Sequence, residues 1–121
     1  MPLQENPDTL LLLHNPLCSK SRAVEAILEQ SGHEFVVRCY LDEPLDEQEL
    51  RELEELLGRP VGEWVRRGES SFAEAGLRAD SDAGALRAAM VRCPILMERP
   101  IALRAGRAVV GRPPEAVRGL F

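Results

Sequence analysis

The stretch HNPLCSKSR, His14 to Arg22, sets a cysteine four residues after a histidine, in the turn between an apolar run and a helix. At a helix start the free backbone N–H groups and the helix dipole favour negative charge. A thiolate is negative, so Cys18 in this position is expected to ionise below the ~8.5 of a free thiol. His14 before it, and Lys20 and Arg22 in the first helical turn, can add positive charge. The same N–H groups can hold a tetrahedral oxyanion. The stretch can therefore activate a nucleophile and cradle an anionic substrate; the alternative is a helix-start cysteine that is merely packed. Ser21 stands where a CxxC motif would carry its second thiol. CxxS cannot close its own disulfide, so an oxidised Cys18 needs an external thiol, or Cys39 or Cys93 brought near by the fold. Both of those read as packed side chains, Cys39 on an apolar strand face and Cys93 just before Pro94.

Three further places carry cations in loops: Arg66-Arg67 after Trp64, Arg99-Pro100 in LMERPI, and Arg112 in VGRPPE. Lys20 is the only lysine, so arginine abundance by itself carries no signal here. Each arginine alone reads as a solvated surface residue. Three of them beside an activated cysteine can form a dianion pocket, because guanidinium pairs with oxyanions bidentately. The Arg99-Pro100 bond leads into a strand, a setting in which cis proline occurs.

Thr9 to Leu13 does not alternate and reads as a fully buried strand. Ser19 to Gln30 carries Ala23, Val24, Ile27 and Leu28 on one helical face and stops before Gly32. Glu34 to Leu41 alternates, with Phe35, Val37, Cys39 and Leu41 on one side, and reads as a second strand parallel to the first. A capping box at Asp46 and Glu49 opens a helix with Leu50, Leu53, Leu56 and Leu57 inward, stopped by Gly58 and Pro60. A short helix from Pro60 through Val65 and a turn over Ser70 to Ala75 follow. Ser81 is expected to cap a helix with Ala85, Leu86, Ala89 and Met90 inward, closed by Pro94. Ile101–Arg104 and Arg107–Val110 read as a hairpin turned at Ala105-Gly106, and Pro113-Pro114 starts a last helix. The order β-α-β, helices, β-β-α implies an α/β fold. It resembles a thioredoxin-like core, a small mixed four-stranded sheet flanked by helices, with an all-helical insertion over about residues 42–93. Residues 1–8 read as a flexible N-terminus.

With 121 residues and 45% hydrophobic content the chain fits one domain with one core. The longest apolar run, Leu10 to Leu13, is far short of a membrane span, and the first residues lack a signal-peptide pattern, so a cytoplasmic protein is expected. A net charge of −5 argues against nonspecific nucleic-acid binding. Three cysteines and two histidines show neither a paired disulfide framework nor zinc-ligand spacing, so no bound metal is expected.

Taken in order, HNPLCSKSR, CPILMERPI and VVGRPPE resemble the glutaredoxin-coupled arsenate reductases of the ArsC family, and within it the short ArsC-like subgroup. The resemblance runs from about Leu10 to Leu120. It implies a catalytic Cys18, with His14 helping to activate the thiol and Ser21 as the CxxS serine. It implies substrate-binding roles for Arg66, Arg99 and Arg112, with Asn15 beside them, and a cis Pro100. The adjacent Arg67 is the other candidate for the first arginine. The implied reaction reduces arsenate to arsenite through a cysteine–arsenic adduct resolved by glutathione and a glutaredoxin, with no bound cofactor, no nucleic acid and no membrane. Two other readings stand beside it: a glutathione-dependent thiol reductase of other substrates, and a non-catalytic regulator like the Spx proteins, which bind RNA polymerase.

Overall fold

A computed structural model describes residues 3, 4 and 6–121. Its four strands are β1 (Leu10–His14), β2 (Phe35–Cys39), β3 (Ile101–Arg104) and β4 (Arg107–Val110), in the sheet order β2-β1-β3-β4. β1 pairs parallel with β2, and β3 pairs antiparallel with both β1 and β4. Four helices, α1 (Ser19–Ser31), α2 (Glu47–Leu57), α3 (Ser70–Glu74) and α4 (Ala83–Arg92), flank it, with a closing 3-10 helix over Pro114–Leu120. The chain thus has the mixed four-stranded sheet and flanking helices of the thioredoxin-like fold, with α2, α3 and α4 lying in sequence between β2 and β3.

The central strand β1 is buried along its whole length, which explains its unbroken apolar sequence. Leu10 and Leu12 pack with Val24 and Leu28 of α1 and with Val117 and Leu120 of the last 3-10 helix. Leu11 and Leu13 point the other way, into a larger core with Leu50 and Leu53 of α2, Trp64, and Leu86 and Met90 of α4. Successive side chains of a strand face opposite sides, so one strand serves both layers.

Several expectations are corrected. β2 ends at Cys39, two residues short of the expected span, and its alternation does not define a buried face: Val36 is 57% and Val37 38% exposed. β2 is an edge strand with β1 on one side only, so Cys39 is half-buried rather than core. The buried residue is Tyr40, just past the strand end. The cap of α4 is Asp82, whose Oδ1 accepts from the Ala85 N–H at 2.8 Å; Ser81 Oγ instead accepts from the Arg78 N–H. Ala85 is exposed, so the inward stripe of α4 is Leu86, Ala89 and Met90. A carboxylate is as good a cap as a hydroxyl, and the one-residue shift turns Ala85 outward. The expected flexible N-terminus falls partly on residues 1, 2 and 5, outside the described residues. Within the rest, Leu3 is buried and its N–H donates to the Glu52 carboxylate.

The Asp46–Glu49 capping box forms in both directions, and Gly58 closes α2 in the left-handed conformation. The β3–β4 hairpin turns at Ala105 and Gly106, both at positive φ. No described helix is long and apolar enough to cross a membrane.

Candidate active site

Register brings the three motifs to one end of the sheet. In the β1–β3 pair Leu13 lies opposite Ile101, so the same antiparallel register carries Asn15 toward Arg99. In the β3–β4 pair Ile101 lies opposite Val110, which carries Arg99 toward Arg112. The Gly111 N–H donates to the Pro100 carbonyl at 2.8 Å, and both Arg99-Pro100 and Arg112-Pro113 are cis. A Cβ on Gly111 would lie 2.7 Å from Val24 Cγ2 and 2.9 Å from Pro100 Cγ, so only glycine lets β4, α1 and this proline meet.

Cys18 is the N-cap residue of α1, with extended backbone and no side-chain cap bond of full geometry. Asn15 shapes the loop before it: its carbonyl accepts from the Cys18 N–H and its Oδ1 from the Leu17 N–H, both at 3.0 Å. The buried Ser21 Oγ accepts from the Asn15 N–H at 3.3 Å, closing the loop from the helix side. The Arg22 guanidinium donates to the Pro16 carbonyl. Burial raises the Cys18 pKa, but the Ser21 N–H, the Arg99 side chain and the Lys20 N–H outweigh it, and the thiol is held below its ordinary range. Ser21 and Lys20 are the third and second helical positions, whose amides a capping side chain normally satisfies. Cys18 occupies the position from which a capping side chain acts.

His14 is buried and its Nε2 lies 3.8 Å from the Glu25 carboxylate of α1, while its Nδ1 has no hydrogen-bond partner. The imidazole is thus aimed at α1, and the groups polarising Cys18 are the helix amides and Arg99.

Arg66 reaches the site through Trp64-Val65. Val65 forms an isolated bridge with Met97; the Arg66 N–H donates to the Leu96 carbonyl and the Glu98 N–H to the Trp64 carbonyl. Arg66 thereby runs beside the segment leading to Arg99, and both guanidinium groups meet one carboxylate, Glu69, at 3.1 Å from Arg66 Nη2 and 3.7 Å from Arg99 Nη1. Arg67 points elsewhere: it donates to the Gly62 carbonyl and lies over the Phe72 ring. Arg66 Nη1, Arg99 Nε and Arg99 Nη1 are buried without hydrogen-bond partners. Arg112 stands beside them, its Nε bonded to the Arg99 carbonyl and paired with Glu98.

Sequence reasoning missed Glu69, Glu98 and Tyr40. The RxxE spacing of Arg66 and Glu69 was the available signal for the first. Glu98 was legible only as the neighbour of Arg99. Tyr40 continues the β1–β2 register past Cys39, opposite Asn15. Burial pushes its phenol up to about 12, against the lowering influence of Arg99. Asn15 lies close enough to lower that value somewhat, but the hydroxyl makes no hydrogen bond of ordinary geometry.

A cysteine at the N-cap of a helix, in a thioredoxin-like sheet whose same end carries arginines with open donors, is an arrangement suited to thiol chemistry on anions. Residues 13–120 match the ArsC family model, and the chain belongs to the ArsC family. It is similar to an arsenate reductase of Neisseria meningitidis, 40% identical over 112 residues, covering 91% of this chain and 96% of that one. It is 45% identical over 109 residues to the uncharacterized protein YfgD of Escherichia coli, covering 88% and 91%. The solved arsenate reductase from Vibrio cholerae superposes with a TM-score of 0.89 at 38% identity, covering 96% of this chain and all of that one.

Proposed function

We propose that this protein reduces arsenate to arsenite, with Cys18 as nucleophile and glutathione and a glutaredoxin as thiol donors. The observation that carries the reading is the Cys18 thiol at the head of α1, at the end of the sheet to which register brings Arg99 and Arg112, with Arg66 and Arg99 nitrogens buried and unpartnered. The Cys18 thiolate attacks arsenic(V), an S–As bond forms, and a hydroxyl leaves as water after protonation. The glutathione thiol displaces a second hydroxyl as water. A glutaredoxin thiolate then attacks the glutathione sulfur, forming a mixed disulfide and leaving the S–As electron pair on arsenic, now arsenic(III). Water hydrolyses the Cys18–As bond, releasing arsenite and the thiol. Arg66, Arg99 and Arg112 bind the oxyanion and offset its charge. Ser21 and Asn15 keep the loop in the shape that exposes the sulfur to the helix amides. His14 serves from behind the loop by orienting against Glu25. The chemistry suits the reducing cytoplasm.

The test is arsenate reduction by the purified chain with glutathione and glutaredoxin, each omitted in turn. Turnover that needs both donors is the expected result. Full turnover with glutathione alone would remove glutaredoxin from the scheme, and no reduction of arsenate beside rapid reduction of a glutathione mixed disulfide would replace the substrate.

A further inference from the structure

Glu69 stands at the head of α3, yet its side chain makes no cap bond to that helix. It reaches instead between two cations of the site, with Oε1 3.1 Å from Arg66 Nη2 and 3.7 Å from Arg99 Nη1. A carboxylate presents to guanidinium the same anionic oxygens as an arsenate or phosphate. It fits this place incompletely. Only the Arg66 contact is within hydrogen-bond distance, and Arg66 Nη1, Arg99 Nε and Arg99 Nη1 remain buried without partners. Buried guanidinium donors are expensive to leave unmade, so the pocket offers more donors than its occupant uses. A tetrahedral oxyanion, with up to four oxygens, matches that surplus better.

The segment that carries Glu69 can give way. Phe72 ties α3 to the core, but Glu69 lies before it at the helix start and packs in neither core cluster, so its side chain can swing aside without opening a hole. Charge points the same way. Two guanidinium groups face the one Glu69 carboxylate, so the pair keeps an excess positive charge that an incoming oxyanion can meet.

We propose that Glu69 is a built-in substitute for the substrate anion: it holds Arg66 and Arg99 together in the resting protein, and an incoming oxyanion displaces it. The inference rests on the oxyanion reading of the site. It makes Glu69 a positioning residue that sets oxyanion affinity and takes no part in bond making.

The test compares wild type, Glu69→Gln, Glu69→Ala and Glu69→Asp, with inorganic phosphate and arsenate as probes protecting Cys18 from iodoacetamide. Removing the internal competitor should tighten protection by both anions about fivefold in Glu69→Gln and Glu69→Ala, the scale of a partly exposed ion pair. The KM for arsenate should fall by the same factor while kcat does not rise, and Glu69→Asp should stay near wild type. Wild type protected, with Glu69→Gln no tighter, would overturn this proposal and leave the oxyanion reading standing. No protection of wild type or either neutral variant would overturn both. Failure of both neutral variants to fold, by circular dichroism, would make Glu69 a structural tie and overturn the proposal.

Discussion

The Nε–H of Arg112 lies 2.7 Å from the Arg99 carbonyl oxygen and 2.9 Å from the Glu98 carboxylate. Arg112 thus clamps the segment that presents Arg99, while the Arg99 guanidinium keeps two buried nitrogens unpartnered. Opposite stability effects follow. Losing a charge-assisted contact to the oxyanion costs about 1.5–3 kcal/mol, a tenfold to hundredfold fall in kcat/KM for either alanine variant. Arg112→Ala should also lower the urea midpoint. Arg99→Ala should leave it unchanged or raise it, because desolvated donors without partners are removed. Arg99→Lys should recover only part of the activity, since lysine lacks the planar fork. Arg118, exposed, should tolerate alanine without effect. Arg104 is more than a surface residue: it donates to the Asp8 and Leu120 carbonyls, and its alanine variant should lose about 1 kcal/mol of stability and no anion affinity.

The lowered pKa of Cys18 sets the direction of its pH profile. Thiolate is the reactive form, so alkylation by iodoacetamide should persist to lower pH than for a free thiol and decline only as pH falls through the lowered value. Burial opposes ionisation, so removing a stabilising partner moves the midpoint up. Arg99→Ala should do so, by removing a positive side chain that lowers the thiol's pKa. A midpoint that stays put would mean the helix amides suffice. Mass mapping after brief alkylation should find Cys18 modified ahead of Cys39 and Cys93.

Gly111→Ala tests how the motifs are joined. Its Cβ would collide with Val24 of α1 and with the ring of Pro100, neither of which is a flexible side-chain end. The expected cost is about 1–3 kcal/mol by urea unfolding. Adding Val24→Ala should return part of it, since one of the two clashes disappears.

Ser21 supplies no resolving thiol, and Cys39 at the end of β2 and Cys93 just past α4 are both half-buried. A Cys39→Ser, Cys93→Ser double variant should therefore keep most of its arsenate turnover with external thiols supplied. Loss of turnover with circular dichroism unchanged would show an internal thiol at work.

What the sequence revealed follows from local chemistry. The helix-start cysteine, the capping box at Asp46 and the Ala105-Gly106 turn are each written in a few adjacent residues, and each forms at its expected place. β2 was misjudged because alternation reports a preference for burial, while actual burial depends on whether another strand or helix arrives to cover it. The cap of α4 falls on Asp82, one residue past the expected Ser81, because both side-chain types cap and local sequence does not separate them. The i,i+3 spacing hints at the Glu69–Arg66 pair, but the meeting of Glu69 with Arg99 is illegible, since the Val65–Met97 bridge across the insertion is what brings Arg66 and Arg99 together. The aim of His14 toward Glu25 depends on which way one ring turns at the end of a buried strand, and spacing carries no information on that.

Strand β2 ends the sheet, and an open strand edge is where folded domains begin to stack into larger bodies. Arg38 blunts this one. It grips Glu49 through two nitrogens at 2.6 and 3.1 Å and donates to the carbonyls of Glu43 and Pro44, tying the loop after β2 back to the strand. The exposed Val36 and Val37 sit beside that tie. The consequence concerns colloids more than catalysis. A chain without Arg38 would keep its thiol chemistry in dilute assay, yet light scattering should rise as it is concentrated, and the loss would show first as turbidity in the storage tube.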